Sequence, residues 1–76
     1  MTELRVQATG VMCPVPIIEL AKRITDVEVG GVVVLVADDP AAAADVPAWC
    51  RMRGHDYLGE RADADGATSY LVRRTH

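Results

Sequence analysis

Of the two cysteines in this 76-residue chain, Cys13 stands in a setting that suits chemistry. It follows Thr9-Gly10-Val11-Met12 and runs directly into Pro14-Val15-Pro16. Upstream, Leu4-Arg5-Val6-Gln7-Ala8 alternates apolar and polar residues, the period of a half-buried strand, and Gly10 breaks it. Downstream, Ile17, Leu20, Ala21 and Ile24 recur at helical spacing. Proline is tolerated in a first helical turn, where the N–H it lacks would have no intrahelical partner. Pro14 therefore reads as the first helical residue and Cys13 as the N-cap.

A helix N-terminus carries partial positive charge and free N–H groups. A thiolate there is stabilised, with pKa values lowered to about 3.5–7.5 at such sites. Val15 and Ile17 retain their N–H groups, and the two prolines stiffen the mount. A free cysteine is otherwise commonly a small buried hydrophobe. Gly10, Pro14 and Pro16 together specify a turn and a helix start, and so favour an exposed, nucleophilic Cys13. Three residues on stands Pro16, not a second cysteine, and no Cys-x-x-Cys occurs. Such a thiol can carry a group but cannot complete a local dithiol cycle.

The elements that must position it follow from the pattern. Strand one is expected over about 4–8 and helix one over 14–26, with Glu19 and Arg23 as an i,i+4 pair. Val32–Ala37 is a continuous β-branched run, a central strand covered on at least one face. Asp38-Asp39-Pro40 opens a second helical region. Pro47 predicts an offset near Asp45, with the main helix over about 46–53 and Gly54 just past its end. Strands over 55–62 and 67–74 flank the turn Asp63-Ala64-Asp65-Gly66. The order is β-α-β-α-β-β, an α/β (α+β) two-layer sandwich in which a four-stranded mixed sheet carries both helices on one face. One domain is expected across residues 1–76.

Composition narrows the function classes. The net charge of −3 argues against a general affinity for nucleic acid. Residues 1–50 hold three basic and seven acidic side chains, and residues 51–76 hold five and four. Two cysteines without a secretory signal do not suggest a disulfide framework, and Met1-Thr2-Glu3-Leu4-Arg5 carries mixed charge and no apolar run. Val32–Ala37 is far short of a membrane span. A cytoplasmic, reduced protein without membrane insertion is expected, monomeric when free. Cys50, beside Trp49, reads as a buried structural thiol. His55 reads as a capping or surface histidine and His76 as a disordered terminus. Cys13, Cys50, His55 and His76 lack the spacing of a metal site, so neither metal nor cofactor is expected. Lys22, Arg23, Arg51, Arg53, Arg61, Arg73 and Arg74 read as solvated charge that could help dock an acidic partner.

Gly10-Val11-Met12-Cys13-Pro14-Val15-Pro16 resembles the signature of the TusA/SirA family of small sulfur-carrier proteins. The likeness continues through Gly30, Val36-Ala37-Asp38-Asp39-Pro40, Asp45-Val46-Pro47-Ala48-Trp49-Cys50, His55 and Tyr70-Leu71-Val72-Arg73-Arg74, closest to the TusA branch. It implies a sandwich like the C-terminal domain of translation initiation factor three. It also implies a sulfurtransferase in which Cys13, supported by Gly10, Pro14 and Pro16, receives sulfane sulfur as a persulfide. The donor would be a cysteine desulfurase or a rhodanese, and the acceptor a Tus/Dsr-type relay protein. The sulfur would serve 2-thiouridine synthesis in tRNA, or sulfur oxidation and trafficking. The family usually has an acid where this chain has Gln7, which could serve loop N–H groups as a neutral acceptor. The other readings are a non-catalytic regulatory or RNA-binding module, and a thiol partner of a thiosulfate importer.

Overall fold

The computed structural model describes residues 3–76, so Met1 and Thr2 of the N-terminal reading lie outside the described residues. The elements run β1 (Glu3–Ala8), α1 (Val15–Arg23), β2 (Val32–Ala37), α2 (Ala42–Arg53), β3 (Asp56–Ala62) and β4 (Thr68–Arg73). The four strands form one sheet in the order β1-β2-β4-β3, with β1 parallel to β2 and the other pairs antiparallel. The β-α-β-α-β-β order and the mixed sheet agree with expectation.

Strand alternation sorts the side chains into two layers. Val6, Ala8, Val33, Leu35, Ala37, Tyr70 and Val72 point to one face. There they meet Leu20 of α1, Ile24 just beyond it, and Ala42, Val46, Trp49 and Cys50 of α2. Both helices therefore cover the same side. On the other face Val34, Val36 and Ala67 form a second cluster with Val32 and Leu71. The turn after β3 reaches back over that face, where the Asp63 carboxylate accepts from Ser69 and pairs with Arg5 on the far edge strand at 2.9 Å. A run buried on both sides is what an unbroken β-branched sequence records.

Two helix expectations need correction. The first helix is α only through Arg23, and Ile24–Asp26 tightens into a 3₁₀ turn. Arg23 accordingly pairs forward with Asp26 at 2.6 Å, while Glu19 pairs with Lys22 at 3.4 Å. The second helix is continuous across Asp45. Ala42, Ala43 and Ala44 donate to the carbonyls of Asp39, Pro40 and Ala41, a tight opening that merges into α2. Pro47 removes only the bond to the Ala43 carbonyl, and Ala43 is exposed, so water can serve that oxygen. Val46, Trp49 and Cys50 hold the opposite side in the core, and packing overrides the break.

Candidate functional site

Parallel pairing of β1 with β2 ends at Ala8 opposite Ala37. The segments that follow, Thr9–Pro14 and Asp38–Ala41, therefore emerge side by side. Asp38 and Asp39 use this to fasten the first segment. The Gly10 N–H lies 3.1 Å from both Asp38 carboxylate oxygens. The Cys13 N–H donates to Asp39 Oδ2 at 2.7 Å, and the Ala41 N–H to Asp39 Oδ1 at 3.0 Å. Those two backbone bonds, Ala41's foremost, hold the Asp39 carboxyl below its ordinary pKa. Gly10 has φ 77°, a left-handed turn that suits a residue without Cβ.

Pro14 follows a cis peptide bond and caps the helix, one residue later than expected, so α1 starts at Val15. Pro16 is buried in its first turn. Cys13 is half-buried against the core, between exposed Met12 and the start of α1.

The electrostatics reverse the expectation of an acidic thiol. The Cys13 pKa is pushed up to about 11, first by burial, then by the nearby Asp45 carboxylate and last by Asp39. Of the N–H groups expected to favour the anion, Val15's is donated to the Met12 carbonyl instead. Cys13's own N–H is held by Asp39. The helix start thus gives the sulfur a fixed position rather than a stabilised charge.

An apolar depression of about 270 Å³ opens beside the cysteine loop, lined by Pro14, Ile17, Asp45, Ala48, Trp49 and Met52. Met12 and Met52 are 76% and 74% exposed, and Val11, Val15 and Ile18 are exposed as well. A larger polar cleft of about 520 Å³ lies on the opposite sheet face, but Asp63 and Asp38 in its lining are engaged with Arg5 and Gly10.

The remaining sequence candidates are scattered. Cys50 is buried at 1% exposure, and burial raises its pKa to about 11. Both cysteines are free thiols. His55 is half-buried, accepts the Thr75 N–H at Nδ1, and stacks on Trp49 and His76. His76, expected to be disordered, is docked, with Nε2 2.9 Å from the Arg53 carbonyl oxygen. Thr75 ties that end down by donating its hydroxyl to the Gly54 carbonyl. Gln7 serves no loop N–H group; it donates to the Thr9 hydroxyl, because Asp38 and Asp39 already take the loop donors. Arg73 pairs with Asp56 and Arg74 donates to the Val27 carbonyl, so neither is spare charge. Among the described residues no three His, Cys, Asp or Glu side chains gather into a metal site, and no helix is long and apolar enough to cross a membrane.

Sequence reasoning missed Asp38, Asp39 and Asp45 as site residues. The first two had a readable signal. A β-α-β unit returns its second strand parallel to the first, so residues just after β2 neighbour those just after β1.

The chain is thus a small two-layer α+β domain that presents one thiol where a strand hands over to a helix. The crystal structure of a SirA-like protein from Desulfitobacterium hafniense shares the fold, with a TM-score of 0.81, 20% identity and coverage of 96% of this chain and 99% of that one. The family model described as sulfurtransferase TusA matches residues 5–74, and the chain belongs to this TusA family. It is 37% identical over 67 residues to the sulfur carrier protein TusA of Pseudomonas entomophila, covering 88% of this chain and 82% of that one. It is 38% identical over 64 residues to the putative sulfur carrier protein YrkF of Bacillus subtilis, covering 84% of this chain and 35% of that protein.

Proposed function

We propose that the protein is a carrier-type sulfurtransferase that accepts sulfane sulfur on Cys13 from a donor protein and hands it to an acceptor protein. The observation that carries this is the contrast between the two thiols. Cys13 is fastened at its backbone by Asp39 in an exposed apolar surround, whereas Cys50 is buried in the core. Loading joins Cys13 Sγ to the outer sulfur of the donor persulfide. The donor's S–S bond breaks, its electron pair leaves on the donor thiolate, and the proton lost by Cys13 ends there. Unloading is the same exchange with the acceptor thiol as attacker, so no external oxidant or reductant enters. Apolar side chains around the sulfur suit contact with a protein surface. Asp38, Asp39 and Asp45 at the same place disfavour a phosphate backbone.

The test is intact-protein mass spectrometry after incubation with a cysteine desulfurase and cysteine, beside Cys13→Ser and Cys50→Ser. The expected result is added mass of one sulfur, lost on reduction and absent only from Cys13→Ser. Sulfur retained by Cys13→Ser overturns the assignment.

A further inference from the structure

Past β4 the chain folds back over the C-terminal end of α2, where helix carbonyls lack intrahelical partners. The Thr75 hydroxyl donates to the Gly54 carbonyl, and His76 Nε2 lies 2.9 Å from the Arg53 carbonyl oxygen. Arg74 holds the base of this strap through the carbonyls of Val27 at 2.7 Å and His76 at 2.8 Å. The partners dictate where the protons sit. A backbone N–H only donates and a carbonyl only accepts. His55 Nδ1, 3.2 Å from the Thr75 nitrogen, is therefore bare and its ring neutral, whereas His76 Nε2 carries a proton. Trp49, His55 and His76 stack in that order, with centroids 5.5 and 4.7 Å apart. Trp49 is shared, because it also lines the groove beside the cysteine loop with Pro14, Ile17 and Met52. The charged groups facing His55 are His76 and Arg74 from the strap, Arg53 from α2 and Asp56 from β3.

We propose that His55 is an acid-sensitive latch on this strap, and that the closed latch fixes Trp49 as a wall of the groove that a partner protein meets. The effect on loading rests on the carrier reading above. A proton on His55 Nδ1 sets two donors face to face at the Thr75 N–H. It also adds positive charge where Arg53, Arg74 and His76 already face the ring, with Asp56 alone opposing them. Burial and those charges hold the ring below its ordinary 6.5 while the strap is closed, and release returns it toward that value. The closed state is therefore fully favoured above pH 6.5 and gives way as pH falls through the lowered value. Once the strap lifts, Trp49 loses the ring that backs it, and the groove keeps its closed shape only part of the time. Partner affinity then falls by the fraction of molecules that have lost that shape. Acid thus slows loading without touching Cys13 itself.

Two readouts on the full chain test the latch and its coupling to the groove. The Thr75 amide and His76 ring signals are followed by NMR between about pH 7.5 and 5.5 in wild type, His55→Gln and His76→Ala. Glutamine stays neutral and can accept the Thr75 N–H through its amide oxygen. In wild type both signals are expected to move together to random-coil positions as pH falls. In His55→Gln the Thr75 signal should stay in place, and in His76→Ala it should already be displaced at the higher pH. Signals that stay fixed in wild type overturn the latch. Initial rates of persulfide loading are then measured with a cysteine desulfurase plus cysteine and with a rhodanese plus thiosulfate. Rates are taken relative to wild type at each pH, so that the ionisation of Cys13 and the donor's own pH dependence cancel. The relative rate of His55→Gln is expected to rise at least about threefold across that range, and His76→Ala to load slower than wild type at its upper end. A relative rate that stays constant overturns the coupling. A wild type that neither donor loads sinks the carrier reading and the coupling together, while the NMR titration still decides the latch. Far-UV circular dichroism checks folding, and His55→Asn replaces His55→Gln if that variant fails it.

Discussion

Burial of Cys50 has a cost that appears only in alkali, and replacing it by alanine should invert the stability order of the two proteins. The side chain is 1% exposed, and its pKa rises from 9.0 to about 11 through burial and then the Asp56 charge, against a smaller lowering by Arg51. The unfolded chain therefore loses this proton first as pH rises. Stability due to the neutral thiol is complete below pH 9 and is lost between 9 and 11. At about 1.36 kcal/mol per pH unit, the wild type loses on the order of 1 kcal/mol by pH 10 and on the order of 2 kcal/mol by pH 11. Removing the sulfur costs about 1–2 kcal/mol through lost burial and the small cavity left behind, independent of pH. Cys50→Ala is therefore expected to be the weaker protein at pH 7.5, equal near pH 10 and the stronger near pH 11. Urea unfolding under reducing conditions at each pH reads this directly, and Cys13, present in both proteins, cancels. A gap that stays constant from pH 7.5 to 11 would refute the reasoning, since it would mean that the thiol ionises equally well in both states.

Other outcomes follow from the loop, the turn and the C-terminal stack. Gly10→Ala forces a side chain into φ 77° and should cost about 1 kcal/mol in urea unfolding, with slower persulfide loading. The Asp63 pKa is lowered to about 2 by Ser69, then the Ala64 N–H, with Arg5 adding to them. Its contribution is present above the ordinary 3.8 and is lost as pH falls toward 2, so the stability advantage over Asp63→Asn should vanish across that window in an acid titration. His55 is held below 6.5 first by burial and then by the charges of His76, Arg74 and Arg53, and its Nδ1 accepts the Thr75 N–H. Its stabilisation is complete above pH 6.5 and fades as pH falls through the lowered value. Fluorescence of Trp49, the chain's single tryptophan, should report release of the stack there, and His55→Gln should abolish that transition.

Much of the architecture was legible because periodicity and turn residues are local signals. The alternation of Leu4–Ala8, the run Val32–Ala37, the turn at Asp63–Gly66 and the helix end at Gly54 all fall where the residues place them. The site was legible in position but not in electrostatics. The environment of Cys13 is set by Asp39 and Asp45, which only the crossover brings beside it. A helix start read in isolation therefore suggested the opposite sign for the pKa. The uninterrupted α2 was missed for a related reason. Pro47 is unfavourable locally, and the core contacts of Val46, Trp49 and Cys50 that outweigh it are long-range. The docking of His76 depends on a stack across three elements of sequence that no local pattern announces.

The sulfur sits on a stiff mount inside a pliant rim. Its backbone is tied to Asp39, which follows the strand buried on both faces, while Met12 and Met52 around it are unbranched and exposed. For a carrier this means that one surface can mould itself to two different proteins in turn, since the adaptable side chains are separate from the reacting atom. It also means that both partners compete for the same footprint. In a carrier built this way, one partner must leave before the next can dock.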